Sequence, residues 1–310
     1  MGTTRGREQA YCACGGGVKV NSALTIKVPS IPRKRESRLV AGSRVESLDS
    51  RLRGNDGFNS VEATGFLGGQ PTTWLLPEET PIALQLNSTP HAVMMATPAD
   101  LQDFATGFAL SEGLVKHVTH VKQVLVLPSG DGFTADIAVD ERDLIRERMV
   151  SRSLEGRVGC GLCGIEEMFD AIRMPGGKLH HVDFKGPAIE KAFAALPDHQ
   201  PMNAVNRTVH AAVWCSMDGT ILLAREDVGR HNALDKLIGA MARDRISPRD
   251  GFVLMSSRCS FELVQKCAIA GIGALATVSA PTALAHRLAQ EAGLQLAALS
   301  KQGVMMFGVN

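Results

Sequence analysis

"TILLAREDVGRHNALDKLIGAMA", Thr220–Ala242, decides the fold class because its period changes partway along. The first eight residues open on a short apolar run, Ile221–Ala224, as a strand does; the longer remainder reads as a helix. Two more passages of this kind follow. "GFVLMSS" runs into "RCSFELVQKCAIAG", and "GALATVSA" runs into "PTALAHRLAQEAG", with "LQLAALS" as a last strand. Strands alternating with helices of this length predict an α/β fold with at least partly parallel pairing.

The chain before these passages is organised differently. From Trp74 onward "PIALQLN" alternates as a strand and "HAVMMAT" is a second. "TPADLQDFATGFALSEG" carries helix signals, with Thr97 placed to cap, Pro98 at the first position and Gly113 at the end. "VKQVLVLP" and "FTADIAVD" flank "SGDG" as a hairpin. These elements predict a small α+β subdomain over residues 71–150; the charged segment Asp140–Arg157 is expected to be helical and to lead into the glycine-flanked cysteines. A cysteine-bearing loop region at 151–181 and an α/β core at 182–310 complete the order. Residues 1–70 show recurring arginines without a sustained apolar face and read as a disordered tail. Read instead as a basic arm for a polyanion, that segment is diluted by Glu36, Glu46, Asp49 and Asp56.

Composition removes several function classes. Lys and Arg total 33 against 32 Asp and Glu in 310 residues, so no global field draws the chain to nucleic acid or an anionic membrane. Any anion site must be local. The longest weakly polar run, Ala268–Ala285, is built of small residues and broken by Thr277, Ser279, Pro281 and Thr282, unlike a membrane span. No early stretch joins basic residues to an apolar segment and a small-residue cleavage site, so a cytoplasmic location is expected. Seven cysteines without a secretion signal argue for reduced thiols rather than a disulfide framework.

Polar or small residues stand at each strand exit: "EDVGRH" (Glu226–His231), "SSR" (Ser256–Arg258) and "SAPT" (Ser279–Thr282). Ligands in open α/β sheets lie at strand C-terminal ends, where helix N-termini present free amides to an anion. Asp227, Gly229, Arg230, His231, Asn232, Ser256, Ser257, Arg258, Ser279 and Thr282 are therefore candidate binding residues. Gly229 would let a backbone approach a ligand, and Arg230 and Arg258 offer bidentate donors to phosphate. The same residue types are ordinary helix caps, and for any single turn that reading stands beside the first. The density of charge and amide in "EDVGRHN" is harder to explain by capping.

"GRVGCGLCGIEE", Gly156–Glu167, holds a Cys-x-x-Cys pair among glycines. A structural zinc site needs four ligands; one such pair supplies two, and a second pair is absent from the sequence. Zinc deaminases add an upstream His-x-Glu and a proline directly before the first cysteine, where this chain has Gly159. No metal site is expected. A redox dithiol normally opens a helix after a strand, whereas these cysteines sit in a glycine-rich stretch. A sulfur carrier needs a nucleophilic thiolate and mobility, which Arg157 and the glycines at 159, 161 and 164 supply. Cys160 and Cys163 are the candidate catalytic thiols.

In order, "GCGLCG", "EDVGRHNALDKLIGA", "SSRCSFELVQK" and "VSAPTALAHRLAQEAG" resemble the formate dehydrogenase accessory sulfurtransferase family, FdhD. "HAVMMATPADLQDFATGFALSEGL" resembles the family's N-terminal region, so the resemblance covers the chain from about Trp74 to its end. It implies a cytidine-deaminase-like three-layer core with the smaller N-terminal α+β part. It implies a sulfurtransferase that takes sulfur from a cysteine desulfurase, holds it as a persulfide on Cys163 or Cys160, and passes it to the molybdenum cofactor of formate dehydrogenase. The client is the bis-molybdopterin guanine dinucleotide form, bound at the three turns by a homodimer that has no permanent cofactor of its own. A non-enzymatic cofactor chaperone is the alternative. The family usually places Thr-Gly shortly before the histidine of "NAVNRTVHAAVW"; this chain has Asn206 and Arg207 there. His210 is either a packed strand residue or a cofactor contact. Cys215 and Cys267 read as small buried hydrophobes, with Cys259 beside the "SSR" turn.

Overall fold

The computed structural model describes residues 60–149, 172, 174 and 177–308. The first of these are strand, not tail: β1 (Ser60–Leu67) pairs antiparallel with β2 (Gln70–Pro77), Leu67 standing opposite Gln70. Gly68 and Gly69 make the two-residue turn with φ of 58° and 83°, the left-handed pair that suits a tight hairpin. "LGGQ" was thus a turn signal inside the segment read as disordered. The flanking strands lack apolar alternation, and that concealed them.

A four-stranded sheet follows in the order β4-β3-β6-β5, from β3 (Thr80–Leu86), β4 (Thr89–Ala96), β5 (Val121–Ser129) and β6 (Gly132–Val139). Alternation along β3 turns Ile82, Leu84 and Leu86 into a core that Phe104 and Phe108 of α1 (Leu101–Ser111) complete. The helix begins later than expected. Thr97 does not cap it; the N-cap is Asp100, at φ 53°. At the other end Gly113 has φ 68°, and the N–H groups of Gly113 and Leu114 donate to Leu110 O and Ala109 O at 3.0 and 2.9 Å. Both bonds satisfy carbonyls that the helix leaves open. After Asp140 the expected helix is replaced by two short 3-10 turns, 141–143 and 146–148. Their residues are charged on every side and offer no stripe to bury. Residues 150–157 of that expectation lie outside the described residues.

After α2 (Gly186–Ala195) and α3 (Pro201–Asn206) comes the core sheet. Its strands are β7 (His210–Ser216), β8 (Ile221–Asp227), β9 (Gly251–Cys259), β10 (Ala274–Pro281), β11 (Gln295–Ser300) and β12 (Gly303–Phe307). They are ordered β8-β7-β9-β10-β11-β12. The run β9-β10-β11 is parallel, while β7 is antiparallel to both its neighbours and β12 is antiparallel to β11. "LQLAALS" is therefore the penultimate strand. Successive residues face opposite ways: Trp214, Val253 and Met255 pack on the side of α4 (Arg230–Arg243), α5 (Phe261–Ile269) and α6 (Ala283–Ala292). Val213, Phe252 and Leu254 pack with Ile189 and Ala192 of α2 on the other. The fold is mixed α/β, with helices on both faces of the core sheet.

Helix α1 lies directly on α4, and each contributes a glycine at the crossing. A Cβ on Gly107 would stand 2.7 Å from Gly239 N and nearer still to Asp235 O. One on Gly239 would stand 2.9 Å from Asp103 Cα and nearer to that residue's carbonyl oxygen. Backbone meets backbone here, and charged groups around the contact are sealed from water. Lys236 is fully buried; its Nζ donates to Asp227 Oδ2 at 2.6 Å, Thr97 O at 3.0 Å and Glu226 O at 3.3 Å. Lys266 Nζ reaches Glu112 Oε1 at 2.9 Å and Asp235 Oδ1 at 3.0 Å. Burial opposes the Lys266 charge, but these two carboxylates together hold its pKa above the usual lysine range. Arg225 Nη2 lies 2.8 Å from Asp103 Oδ2, and Arg243 also pairs with Asp103. All of these groups tie the N-terminal sheet and its helix to the core.

Candidate functional site

The directions of β8, β9 and β10 bring their C-terminal ends to one edge of the core sheet, and β7, running the other way, starts there. His210 pairs with Asp227, while Arg258 pairs with Ser279 and Cys259 with Pro281. The three polar turns that the sequence singled out thus line one edge, about 14 Å across three strand spacings. Cys160 and Cys163 lie outside the described residues.

Within this edge the predicted residues do different things. Asp227 is fully buried and accepts from the backbone N–H groups of Thr97 (3.0 Å) and Gly229 (2.8 Å) and from Asn232 Nδ2 (3.0 Å), beside the Lys236 ammonium. Every one of these partners is protein, so Asp227 shapes the turn from below. Asn232 also donates to Met95 O at 2.7 Å. Gly229 is the N-cap of α4; a Cβ there would stand 2.8 Å from Asn232 Nδ2, so only glycine lets that amide close over the turn. The Ser256 hydroxyl accepts from Ala211 N–H at 2.8 Å, and the Ser257 hydroxyl donates to Arg258 O at 3.1 Å. The carbonyl of Ser279 takes the Thr277 hydroxyl at 2.7 Å. Thr282 does cap: its Oγ1 accepts from Ala285 N–H at 3.2 Å at the start of α6. Thr97 belongs to this architecture too, its hydroxyl accepting from Val228 N–H at 3.1 Å.

Other groups here are less fully satisfied. Arg230 Nε, His231 Nε2, Ser260 Oγ and Glu262 Oε2 are buried atoms without a hydrogen bond. His231 Nε2 and Glu262 Oε2 face each other at 3.8 Å, with side chains only 6% and 13% exposed. Buried polar atoms are normally hydrogen-bonded, so this loosely satisfied group of four at two helix N-termini offers donors and acceptors to a polar ligand. Burial first, then the neighbouring Arg230, His231 and Arg258, depress the His210 pKa below its usual range against the pull of Asp227. The edge thus gathers cationic side chains around a histidine on β7 whose charged form is disfavoured. Ser260 and Glu262 were not among the residues picked out from sequence. The "SSR" turn was read as ending at Arg258, whereas β9 continues to Cys259 and α5 begins at Phe261.

Burial alone would raise the Glu262 pKa, yet the neighbouring His231 and Ser260 outweigh it and lower it to about 2. A depressed folded-state pKa contributes stability that is complete above the ordinary glutamate range, about 4.3, and lost as pH falls towards the folded value. Urea unfolding measured from pH 5 to pH 2 should therefore fall less steeply for Glu262→Gln than for the native chain. Parallel profiles would refute the assignment.

In the place of the family's Thr-Gly, Asn206 accepts the Trp74 indole at 3.2 Å through its carbonyl, and Arg207 adopts φ 54°. A glycine would take that left-handed conformation without cost. Among the described residues the thiols are interior: Cys215, Cys259 and Cys267 are at most 1% exposed. Burial pushes the pKa of Cys215 and of Cys259 up to about 12 and raises that of Cys267 as well. Among the described residues no group of three or more His, Cys, Asp or Glu is placed to hold a metal, and no helix is long and apolar enough to cross a membrane.

Comparison with known proteins adds three findings. A sulfur carrier protein FdhD from Bordetella petrii is 44% identical over 259 residues, covering 83% of this chain and 90% of its own. The protein of the same name from Chromobacterium violaceum is 44% identical over 263 residues, covering 83% of this chain and 97% of its own. The crystal structure of a candidate formate dehydrogenase accessory protein from Desulfotalea psychrophila superposes with a TM-score of 0.63 at 24% identity, covering 80% of this chain and 96% of that one; it shares the fold. Residues 77–307 match the model of the FdhD/NarQ family, which spans both the α1-bearing sheet and the core sheet, and the chain belongs to that family.

Proposed function

We propose that this protein is a sulfur carrier for formate dehydrogenase. Its relatives' name supports the role, and a Cys-x-x-Cys pair in a glycine-rich stretch is the chemistry it requires. In this reading a thiolate of Cys160 or Cys163 attacks the outer sulfur of a cysteine desulfurase persulfide. A new S–S bond forms on the carrier, and the desulfurase thiolate leaves. Persulfide sulfur then passes to the molybdenum cofactor, the reaction's cargo, presented as the bis-molybdopterin guanine dinucleotide. If the second cysteine attacks the carrying sulfur, a disulfide forms and the terminal sulfur departs as hydrosulfide.

The observation that carries this reading is the edge of the core sheet. Arg230 and Arg258 offer guanidinium groups to phosphate, and the loosely satisfied atoms of Arg230, His231, Ser260 and Glu262 supply donors and acceptors for a polar ligand. Asp227, Gly229 and Asn232 hold the turn's shape; Ser256, Ser257, Ser279 and Thr282 fix the adjoining strand exits. His210 sits between them, its charged form disfavoured. A cytidine-deaminase-like core is in keeping with the helix–sheet–helix layering, and a cytoplasmic homodimer is part of the same proposal.

Intact-mass spectrometry tests it. After incubation with a cysteine desulfurase and cysteine, the native chain should gain one sulfur atom, and Cys160→Ala or Cys163→Ala should abolish or sharply reduce the gain. No gain in a folded, reduced protein would instead favour the cofactor chaperone, which keeps its function without either cysteine.

A further inference from the structure

A cavity of about 320 Å³ opens at the far end of α4 from the three turns. Its floor is apolar, formed by Leu110 of α1, Ile238 and Met241 of α4, Ile246 beyond it, and Ile269 and Ile272 at the end of α5. Along α4, Met241 and Arg230 are separated by about three turns, roughly 16 Å, so this cavity is distinct from the candidate site. The rim is basic: Lys116, His117 and Arg245 line it, and all three are exposed.

These cations are not spent on neighbours. Among the described residues neither the Lys116 nor the Arg245 side chain has a hydrogen-bond or carboxylate partner. The nearby acid Asp244 is paired with Arg243 at 3.2 Å. Nor do the helix ends need them. The closing carbonyls of α4 are taken by the N–H groups of Ile246 (2.8 Å to Met241 O) and Arg245 (3.2 Å to Ala242 O). Those of α5 are taken by Ile272 (2.9 Å to Cys267 O) and Gly271 (3.1 Å to Ala268 O). What remains is an apolar pit, near the lower end of the size range of small-ligand pockets, with positive charge at its lip that no described residue neutralises.

We propose that this cavity receives a leucine or phenylalanine side chain from an acidic segment of a partner protein, with an adjoining carboxylate on the Lys116–Arg245 rim. Charge complementarity selects the occupant. Residues 1–59 of this chain carry many more arginines and lysines than acids, so they have the wrong sign to fill it. The proposal stands apart from the sulfur-carrier reading, since no residue of the three turns lines the cavity.

Fluorescence anisotropy with the full-length chain and a fluorescein-labelled hexapeptide, Glu-Asp-Leu-Phe-Asp-Glu, tests the idea. The peptide should bind, and versions with lysine for each acid or serine for Leu-Phe should bind at least about tenfold more weakly. The Lys116→Glu/Arg245→Glu protein should lose affinity by a similar factor while keeping its native melting curve, and salt should weaken the native interaction. Ile246→Asp tests the floor independently of the rim. No binding at about 1 mM peptide, equal binding of the lysine version, or an unchanged Kd in the rim variant would overturn the proposal.

Discussion

Gly239→Ala should lower the unfolding free energy by about 3 kcal/mol, although glycine-to-alanine changes inside helices ordinarily stabilise by roughly 0.5–1 kcal/mol. The sign inverts because the new methyl would occupy space held by the backbone of Asp103, which cannot rotate away as a side chain can. Either α1 retreats from α4, opening the packing around Phe104 and Phe108, or the α4 backbone distorts. Gly107→Ala should act through the same contact, so the double variant should cost less than the sum of the two. Gly186→Ala is the control: nothing lies within 4 Å of a Cβ there, and its effect should be small. Urea midpoints at unchanged m-value measure all four chains. A stabilised Gly239→Ala would show that the two helices do not touch as described.

The second large effect is expected at Lys236→Met, about 3–5 kcal/mol destabilising. The substitution keeps an unbranched side chain but leaves the fully buried Asp227 carboxylate without its counter-charge and removes the Lys236 hydrogen bonds to Thr97 O and Glu226 O. Removing one member of a buried pair costs more than removing both, because the isolated charge has no water to turn to. Asp227→Asn in the Lys236→Met background should therefore recover part of the loss. Failure of the second substitution to restore any stability would assign the damage to packing instead. Since Asp227 also holds Gly229 and Asn232, Lys236→Met should loosen the cationic turn well before the protein unfolds.

Sequence made the strand-to-helix passages legible because each keeps its period over a long span: residues 221–243 and 274–292 fold as read. It could not show that β7 inserts antiparallel between β8 and β9, since that order is set by which apolar faces meet after collapse. Asp235 and Lys236 look like a solvated helix face until α1 covers them, and no local pattern announces that cover. Thr97 is the reverse case: a residue suited to capping was drawn to Asp227 and Val228, more than 100 positions away in the chain. The site was legible as three separate turns. Their meeting at one edge, and the loosely satisfied Ser260 and Glu262 among them, follow from strand direction and exact helix start, which periodicity does not fix.

Cys215, Cys259 and Cys267 belong to β7, β9 and α5, and water reaches none of them while the core is closed. Their alkylation must wait for the core to open, so its rate under native conditions reports the opening free energy directly. A nucleotide that binds only the closed form would slow that rate in proportion to its occupancy. The buried thiols thus give the protein an intrinsic clock, readable by mass on unlabelled material, for any ligand that binds only the closed core.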